Sequence, residues 1–452
     1  MRNLLLLSLT LFTALQAMSL DETISYALEH NNALKQAEVS IAYSRSVRDS
    51  KQAQKFGRLD ALASYDYYNN ARTLTPLTPM SIVGSPDGAY TIPTTQNMFS
   101  VGIAYNVVLF DGFSQQNSYK ISDLQYKVSS IKSSLGREEL IYNVRNIYLS
   151  LLGAQEQLEA QNLYTVSQKR IAQKIAKELE LGSKSKLDYL RAQSSVTASE
   201  SQVASIVSNI EILKATLSSL MGDKSFDKTE DIDIELQDSI VSEYSEEKLH
   251  SLKRYKAAEL NVAASQRKQD QAQSAYYPHI DFSAYYGQNF GPNDTTNTVP
   301  LTSSAPTAGQ TLIDEGDWNS DENYQIGVHL KWNILDFGQA SALSEGAKIS
   351  YLQAKLESQS VSIELRKNII SAKNKITLAL AQFNNAQIQY ELLDETQKME
   401  QVRYDNDALS LTDLLNTNAR KELAHVQMIN AKYSYKKANY YLDYLLEKGD
   451  VK

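Results

Sequence analysis

Two hydrophobic periods alternate along this chain. From about Ser114 to Met221 apolar residues recur at helical spacing, interrupted only at Leu181-Gly182-Ser183-Lys184-Ser185-Lys186-Leu187-Asp188. Ile121, Leu124, Val128, Ile131 and Leu135 stand three and four apart, the seam of a coiled coil. Farther on, Val144, Ile147, Leu151 and Leu158 drift from a strict heptad, which relaxes the supercoil that a heptad imposes. At a rise of about 1.5 Å per residue, the stretch before the interruption makes a helix of roughly 100 Å. The pattern predicts a hairpin of two long helices, about 114–181 and 185–221.

Elsewhere the period is two, a strand signal. Leu59, Ala61, Ala63, Tyr65 and Tyr67 alternate with Asp60, Leu62, Ser64, Asp66 and Tyr68. Phe99, Val101, Ile103, Tyr105 and Val107 alternate with Ser100, Gly102, Ala104 and Asn106. Strands are expected at about 59–68 and 99–109, with Leu109-Phe110-Asp111-Gly112 turning the second into the long helix.

The plan then repeats. Ile280, Phe282, Ala284 and Tyr286 alternate with polar partners, as do Tyr324, Ile326, Val328, Leu330, Trp332 and Ile334, giving strands at about 279–286 and 324–335. Ile334-Leu335-Asp336-Phe337-Gly338 echoes the first strand-to-helix turn, and Asp336 lies 225 positions after Asp111. A second interruption, Tyr404-Asp405-Asn406-Asp407-Ala408-Leu409-Ser410-Leu411-Thr412-Asp413, keeps that offset: Asp413 follows Asp188 by 225. Long helices are therefore expected at about 339–406 and 410–446. Gln36-Ala37-Glu38 and Asp60 match Ala257-Ala258-Glu259 and Asp281 at an offset of 221, so the second inter-strand loop is four residues longer. A tandem duplication explains the shared register. The repeats are taken as 18–222 and 247–446, joined by a linker at 223–246 and followed by a tail at 447–452.

Each strand has about the length that crosses an outer membrane, with aromatics at both ends, which favours a membrane barrel over the alternative of a soluble sheet. Four strands cannot close a barrel, and a membrane tolerates no open sheet edge. Several chains must combine: two copies give eight strands, three give twelve, and an aqueous channel favours three. The fold class is thus an α+β membrane protein of helical hairpins and four strands per chain. As a trimer it would make a twelve-stranded barrel.

Composition adds compartment. Arg2, the apolar run Leu4–Leu15 and small residues to Ala17 form an export signal, expected to be cleaved after Ala17. Ser19-Leu20-Asp21-Glu22 then reads as a capping box opening a helix that runs to about Phe56 and ends at Gly57. The mean hydropathy of −0.39 argues against a bundle of membrane helices. There is no cysteine, so disulfides, thiolate metal sites and a lipidated N-terminal cysteine are excluded. Ten acids and two lysines between Asp223 and Glu247 carry the chain's whole net charge of −8. The rest has no basic footprint for nucleic acid.

Catalytic signatures are missing, and no enzyme activity or cofactor is expected. His30, His250, His279, His329 and His425 are scattered without metal-site spacing. His329 reads as a solvated lumen residue. Asp314, Glu315, Asp317, Asp321 and Glu322 lack the spacing of a calcium loop and read as a solvated external loop. In a trimer the turn acids would repeat around one axis. If they face the lumen, Asp188 and Asp413, joined by Asp405 and Asp407, would ring a pore, favour cations and raise one another's pKa. The competing reading is helix capping, with Asp188 also paired to Lys184. The pore role is the expectation for Asp413, and both readings stand for Asp188.

Ser19-Leu20-Asp21-Glu22 with Ala27-Leu28-Glu29-His30-Asn31-Asn32, the Leu-Phe-Asp-Gly element and the duplicated Gly-x5-Asp turn resemble the TolC family of outer-membrane efflux and secretion channels. The resemblance spans the mature chain and implies a homotrimer in outer-membrane lipid, with twelve helices forming a periplasmic tunnel. A periplasmic adaptor would dock at the tip, coupled to an inner-membrane RND, ABC or MFS transporter. The implied gate residues are Asp413, Asp405, Asp407, Asp188 and Tyr404. The docking tips are Gly182, Ser183, Leu187, Ala408, Leu409 and Ser410, and the strand-helix junctions are Asp111, Gly112, Asp336 and Gly338. Asp407 stands where the family usually has glycine, Leu409 where some members carry arginine, and Asn416 where some have a second acid. The resulting expectation is a passive exit duct of a tripartite efflux or type I secretion system. An exported trimeric coiled-coil adhesin or stalk is the alternative.

Overall fold

A computed structural model describes residues 18–76, 94–226, 229–230, 246–294 and 316–449. The proposed signal, most of the acidic linker, Asp314, Glu315 and the end of the tail lie outside them. The described residues form eight α-helices and four strands: α1 (Leu20–His30), α2 (Asn32–Ala53), β1 (Arg58–Thr73), β2 (Thr94–Phe110), α3 (Ser114–Glu180), α4 (Lys186–Leu220), α5 (Glu246–Ser251), α6 (Lys253–Ala272), β3 (His279–Pro292), β4 (Trp318–Lys331), α7 (Gln339–Asp405) and α8 (Leu411–Leu445). The duplication is visible in the bounds, since α3 and α7 both have 67 residues and α4 and α8 both have 35.

The chain divides into two compact units, and each draws on both sequence repeats. One contains residues up to Ala42, Lys127–Leu260 and Lys355–Lys452; the other contains Tyr43–Tyr126 and Asn261–Ala354. In the first, Leu140, Val144, Tyr148, Leu149 and Leu151 of α3 pack with Ile206, Ile210 and Leu217 of α4 and Ile24 and Ala27 of α1. By length and composition α4 could cross a membrane, and its Ile206, Ile210 and Leu217 pack into this cluster.

The opening helix is two helices. Ser19 forms the expected capping box with Glu22. At Asn31 the backbone leaves helical geometry (φ −61°, ψ 124°). Its Oδ1 accepts from the N–H groups of Ala33 (2.9 Å) and Leu34 (3.2 Å), capping α2. Its Nδ2 donates to the Leu220 carbonyl at the end of α4 (2.9 Å). The second repeat breaks at the corresponding Leu252. There Glu447, just past α8, accepts from the N–H groups of Lys253 (2.6 Å) and Arg254 (3.0 Å) and so caps α6. The linker starts tethered, because Met18 bridges Thr229 and the Tyr148 hydroxyl bonds Met18 and Glu230.

The second unit holds one antiparallel sheet in the order β1-β2-β3-β4. Register places Phe99, Val101, Ile103 and Tyr105 across from Phe290, Gln288, Tyr286 and Ala284; the last three face Glu322, Tyr324 and Ile326. One face is therefore mostly apolar and the other mostly polar. The strands have 16, 17, 14 and 14 residues, longer than the alternation suggested. Backbone pairing continues through polar ends such as Thr94–Asn97 and Asn319–Asn323, because ladder bonds do not need apolar side chains. β4 also stops at Lys331. Trp332 leaves the ladder and its Nε1 donates to the Tyr276 carbonyl (3.2 Å). Among the described residues the outer strands β1 and β4 each keep one edge unpaired.

Candidate functional site

The turns between α3 and α4 and between α7 and α8 lie in the same unit and meet each other. Both begin with one hydrogen-bond pattern. The Ser183 N–H reaches back to the Glu178 carbonyl and the Gly182 N–H to Leu179 (2.9 and 3.0 Å). At the second turn the Ala408 N–H reaches Arg403 and the Asp407 N–H reaches Tyr404 (2.8 and 3.0 Å). This is the Schellman motif, which places one residue in left-handed backbone geometry. Gly182 has φ +77°, and Asp407 adopts φ +55° without the freedom of glycine.

Both returning helices start with a serine cap. Ser185 Oγ accepts from the Asp188 N–H and donates to Asp188 Oδ2 (3.1 and 2.7 Å). Ser410 and Asp413 make the same pair of bonds (3.2 and 2.7 Å). The caps occupy the two acids, and Lys184 does not take Asp188. Its Nζ instead lies 3.6 Å from Asp407 on the other turn. The Ser185 hydroxyl, then the nearby charges of Arg191 and Lys184, hold the Asp188 carboxyl below its ordinary pKa. Lys174 and Gln401 do the same for Asp405. Within one chain, pairing lowers these values, opposite to the direction expected from crowded carboxylates.

Near the turns, polar contacts join the hairpins: Lys174 to Asp405 (2.9 Å), Lys184 to Asp407, and Arg191 to the Thr412 hydroxyl (2.9 Å). Beneath them Tyr404 is 4% exposed and packs in a cluster with Ala172, Ile175, Ala192, Val196, Leu411 and Leu414. The ammonium groups of Lys174 and Lys184 each lie 5.3 Å from its ring centroid. Among the described residues the buried Tyr404 hydroxyl has no hydrogen-bond partner. Burial, then the charges of Glu178, Asp188, Asp405 and Asp407, push its pKa up to about 12.

The structure thus gathers Tyr404, Asp405, Asp407, Asp188 and Asp413 at one end of the helical unit. Of the docking candidates, Leu187 is exposed, Gly182 has open space around it, and Ser183 donates to the Glu178 carbonyl. Leu409 instead packs on the Tyr404 cluster. Sequence reasoning missed Lys174, Arg191 and Thr412. Their partners are set by which helices are neighbours, and no local spacing reports that.

The strand-helix junctions are caps as well. Asp111 accepts from the Gln115 N–H (2.8 Å), and Asp336 accepts from Gly338 and Ala340 (3.0 and 2.7 Å). Gly112 and Phe113 have positive φ, as do Phe337 and Gly338 at the offset of 225. Among the described residues no group of histidines and acids is placed to hold a metal ion.

The sequence model of the outer membrane efflux protein family matches residues 23–223 and 249–446, and the chain belongs to that family. No curated protein matches it by sequence. In fold it is similar to the CmeC outer membrane channel of Campylobacter jejuni (TM-score 0.77, 18% identity, 95% of this chain and 86% of that one). It is also similar to the outer membrane protein VceC of Vibrio cholerae (TM-score 0.75, 14% identity, 95% and 96%). A membrane protein from Pseudomonas aeruginosa matches as well (TM-score 0.77, 18% identity, 94% and 93%). The chain is an outer-membrane efflux channel protein of the TolC type.

Proposed function

We propose that three copies of this chain close one twelve-stranded barrel and act as the passive exit duct of a tripartite efflux or type I secretion system. One observation carries the reading: a four-stranded sheet with two unpaired edges and an apolar face left exposed. Leu59, Tyr65, Val101, Ile103, Tyr324, Ile326, Val328 and Leu330 on that face are each at least half exposed. So large an apolar patch needs lipid or protein against it, and the edges need strands. Aromatic rows bound the face. Tyr65, Phe99, Phe290 and Trp318 meet at one end, and Phe110, Phe113 and Tyr277 at the other. From Phe99 to Phe110 the strand runs about 36 Å, or about 25 Å in height at a tilt near 45°, the thickness of an outer-membrane apolar band.

In this reading the hairpin turns form the periplasmic end. Asp188, Asp413, Tyr404, Asp405 and Asp407 form the gate, which opens when the second hairpin separates from the first at Lys174–Asp405 and Lys184–Asp407. An adaptor docks on Gly182, Ser183, Leu187, Ala408, Leu409 and Ser410, and the energy comes from an inner-membrane transporter. The test is conductance of the purified protein in planar bilayers, with its subunit count measured in detergent. Step-wise channels from a trimer are expected. A stalk or adhesin conducts nothing, and that result overturns the reading. Cysteines at Ser183 and Ser410 that crosslink no adaptor in cells would overturn the docking assignment.

A further inference from the structure

The polar face of the sheet carries a charge arrangement that neither the gate nor the barrel closure uses. At its helix-proximal end Asp281 of β3 sits between two imidazoles. His329 of β4, its direct partner in register, places Nδ1 3.3 Å from Asp281 Oδ2, and His279 places Nε2 3.9 Å from Oδ1. Ser283 Oγ lies 3.4 Å from His329 Nδ1. All three ionisable side chains are part exposed, so this is a solvated rim and not a core network.

The surrounding charges can be counted from register. On β4, Lys331 is opposite His279. The paired segment of β2 offers no charge, only Asn106 and Val108. Past its end, Asp111 is turned to the N-terminus of α3. On β1, Arg58 and Asp60 pair at 2.8 Å. Arg58 and Lys331 therefore balance Asp60 and Asp281, and the rim is neutral while both imidazoles are neutral. Imidazole is the side chain whose charge ordinarily changes between about pH 5 and 8. Protonating both adds two positive charges per chain, and a closed trimer repeats them three times around the lumen.

We propose that His279 and His329 form a lumen collar whose protonation turns the pore towards anions. The proposal rests on the trimeric channel reading, which places the polar sheet face inside the barrel. Rings of charged side chains set ion preference in pores. This collar acts at the strand end and is independent of the acids at the hairpin turns.

The experiment is the reversal potential under a potassium chloride gradient, read at about pH 8 and about pH 5. The proteins are the wild type, His279→Gln/His329→Gln, and Asp188→Asn/Asp413→Asn. Acidification should raise the anion-to-cation permeability ratio of the wild type by roughly three-fold or more. The histidine variant should lose most of that rise, and the aspartate variant should keep it. A histidine variant that conducts and keeps the full rise overturns the collar alone. Loss of the rise only in the aspartate variant also overturns it, by placing the effect at the turns. A wild-type protein that conducts nothing overturns the channel reading and the collar together.

Discussion

The two hairpin turns share a backbone and differ in what sustains it. At the first, Gly182 occupies the left-handed position with nothing within 4 Å of where a Cβ would stand. At the second, Asp407 holds the same geometry with a full side chain. Left-handed backbone costs a non-glycine residue about 1 kcal/mol, less for aspartate, whose short polar side chain tolerates it. The ion pair to Lys184 offsets little of this, because Asp407 is 88% exposed in its side chain. The difference teaches that the Schellman hydrogen bonds and the serine cap specify the turn, and glycine only lowers its cost. Asp407 adds a charge that ties its hairpin to the neighbouring one.

The largest expected effect removes what the turns share. Tyr404→Ala empties the cluster beneath both and should cost about 3–5 kcal/mol locally, seen as accelerated hydrogen exchange at the ends of α3 and α7 together. Exchange confined to α7 would show that the turns are independent. Next, Lys174→Ala with Lys184→Ala should favour the open channel by about two- to thirty-fold, the range of two exposed pairs, measured as open probability in bilayers. Gly182→Ala should destabilise the first turn by about 1 kcal/mol despite the open space. A neutral outcome in thermal unfolding would mean that space and not backbone angle decides.

Alkali should then report on Tyr404. Its pKa is raised in the folded state, so the stability it contributes is present below pH 10.0 and is lost as pH rises towards about 12. Tyr404→Phe should flatten that part of the pH–stability curve, and at neutral pH it should be nearly neutral because the hydroxyl has no partner. The smallest effect is Asp407→Gly, a gain of less than about 1 kcal/mol, with the loss of one inter-hairpin contact in salt-dependence measurements.

Helix bounds were legible because their ends carry local chemistry. Ser185, Ser410 and Gly182 mark the turns within a residue or two. The break at Asn31 was hidden inside an otherwise helical pattern, although asparagine is a strong capping residue. Strand ends were illegible for the opposite reason: Thr94–Asn97 and Asn319–Asn323 pair through backbone while showing no alternation. The acids of the candidate gate stood out by charge and register. Lys174 and Arg191 did not, because an ordinary basic residue on a long helix gains its meaning only from the helix beside it.

Glu447 imposes an order of events on the chain. Its carboxylate caps α6, whose first residue comes 194 positions earlier. The first repeat closes its joint with Asn31 and Leu220, both of which lie in the first half of the chain. The second cannot lock until synthesis has passed Glu447, and until then the start of α6 is a loose end. A chain stopped a few residues short would lose this fastening and expose the α6 N-terminus to proteolysis while its first joint remained whole.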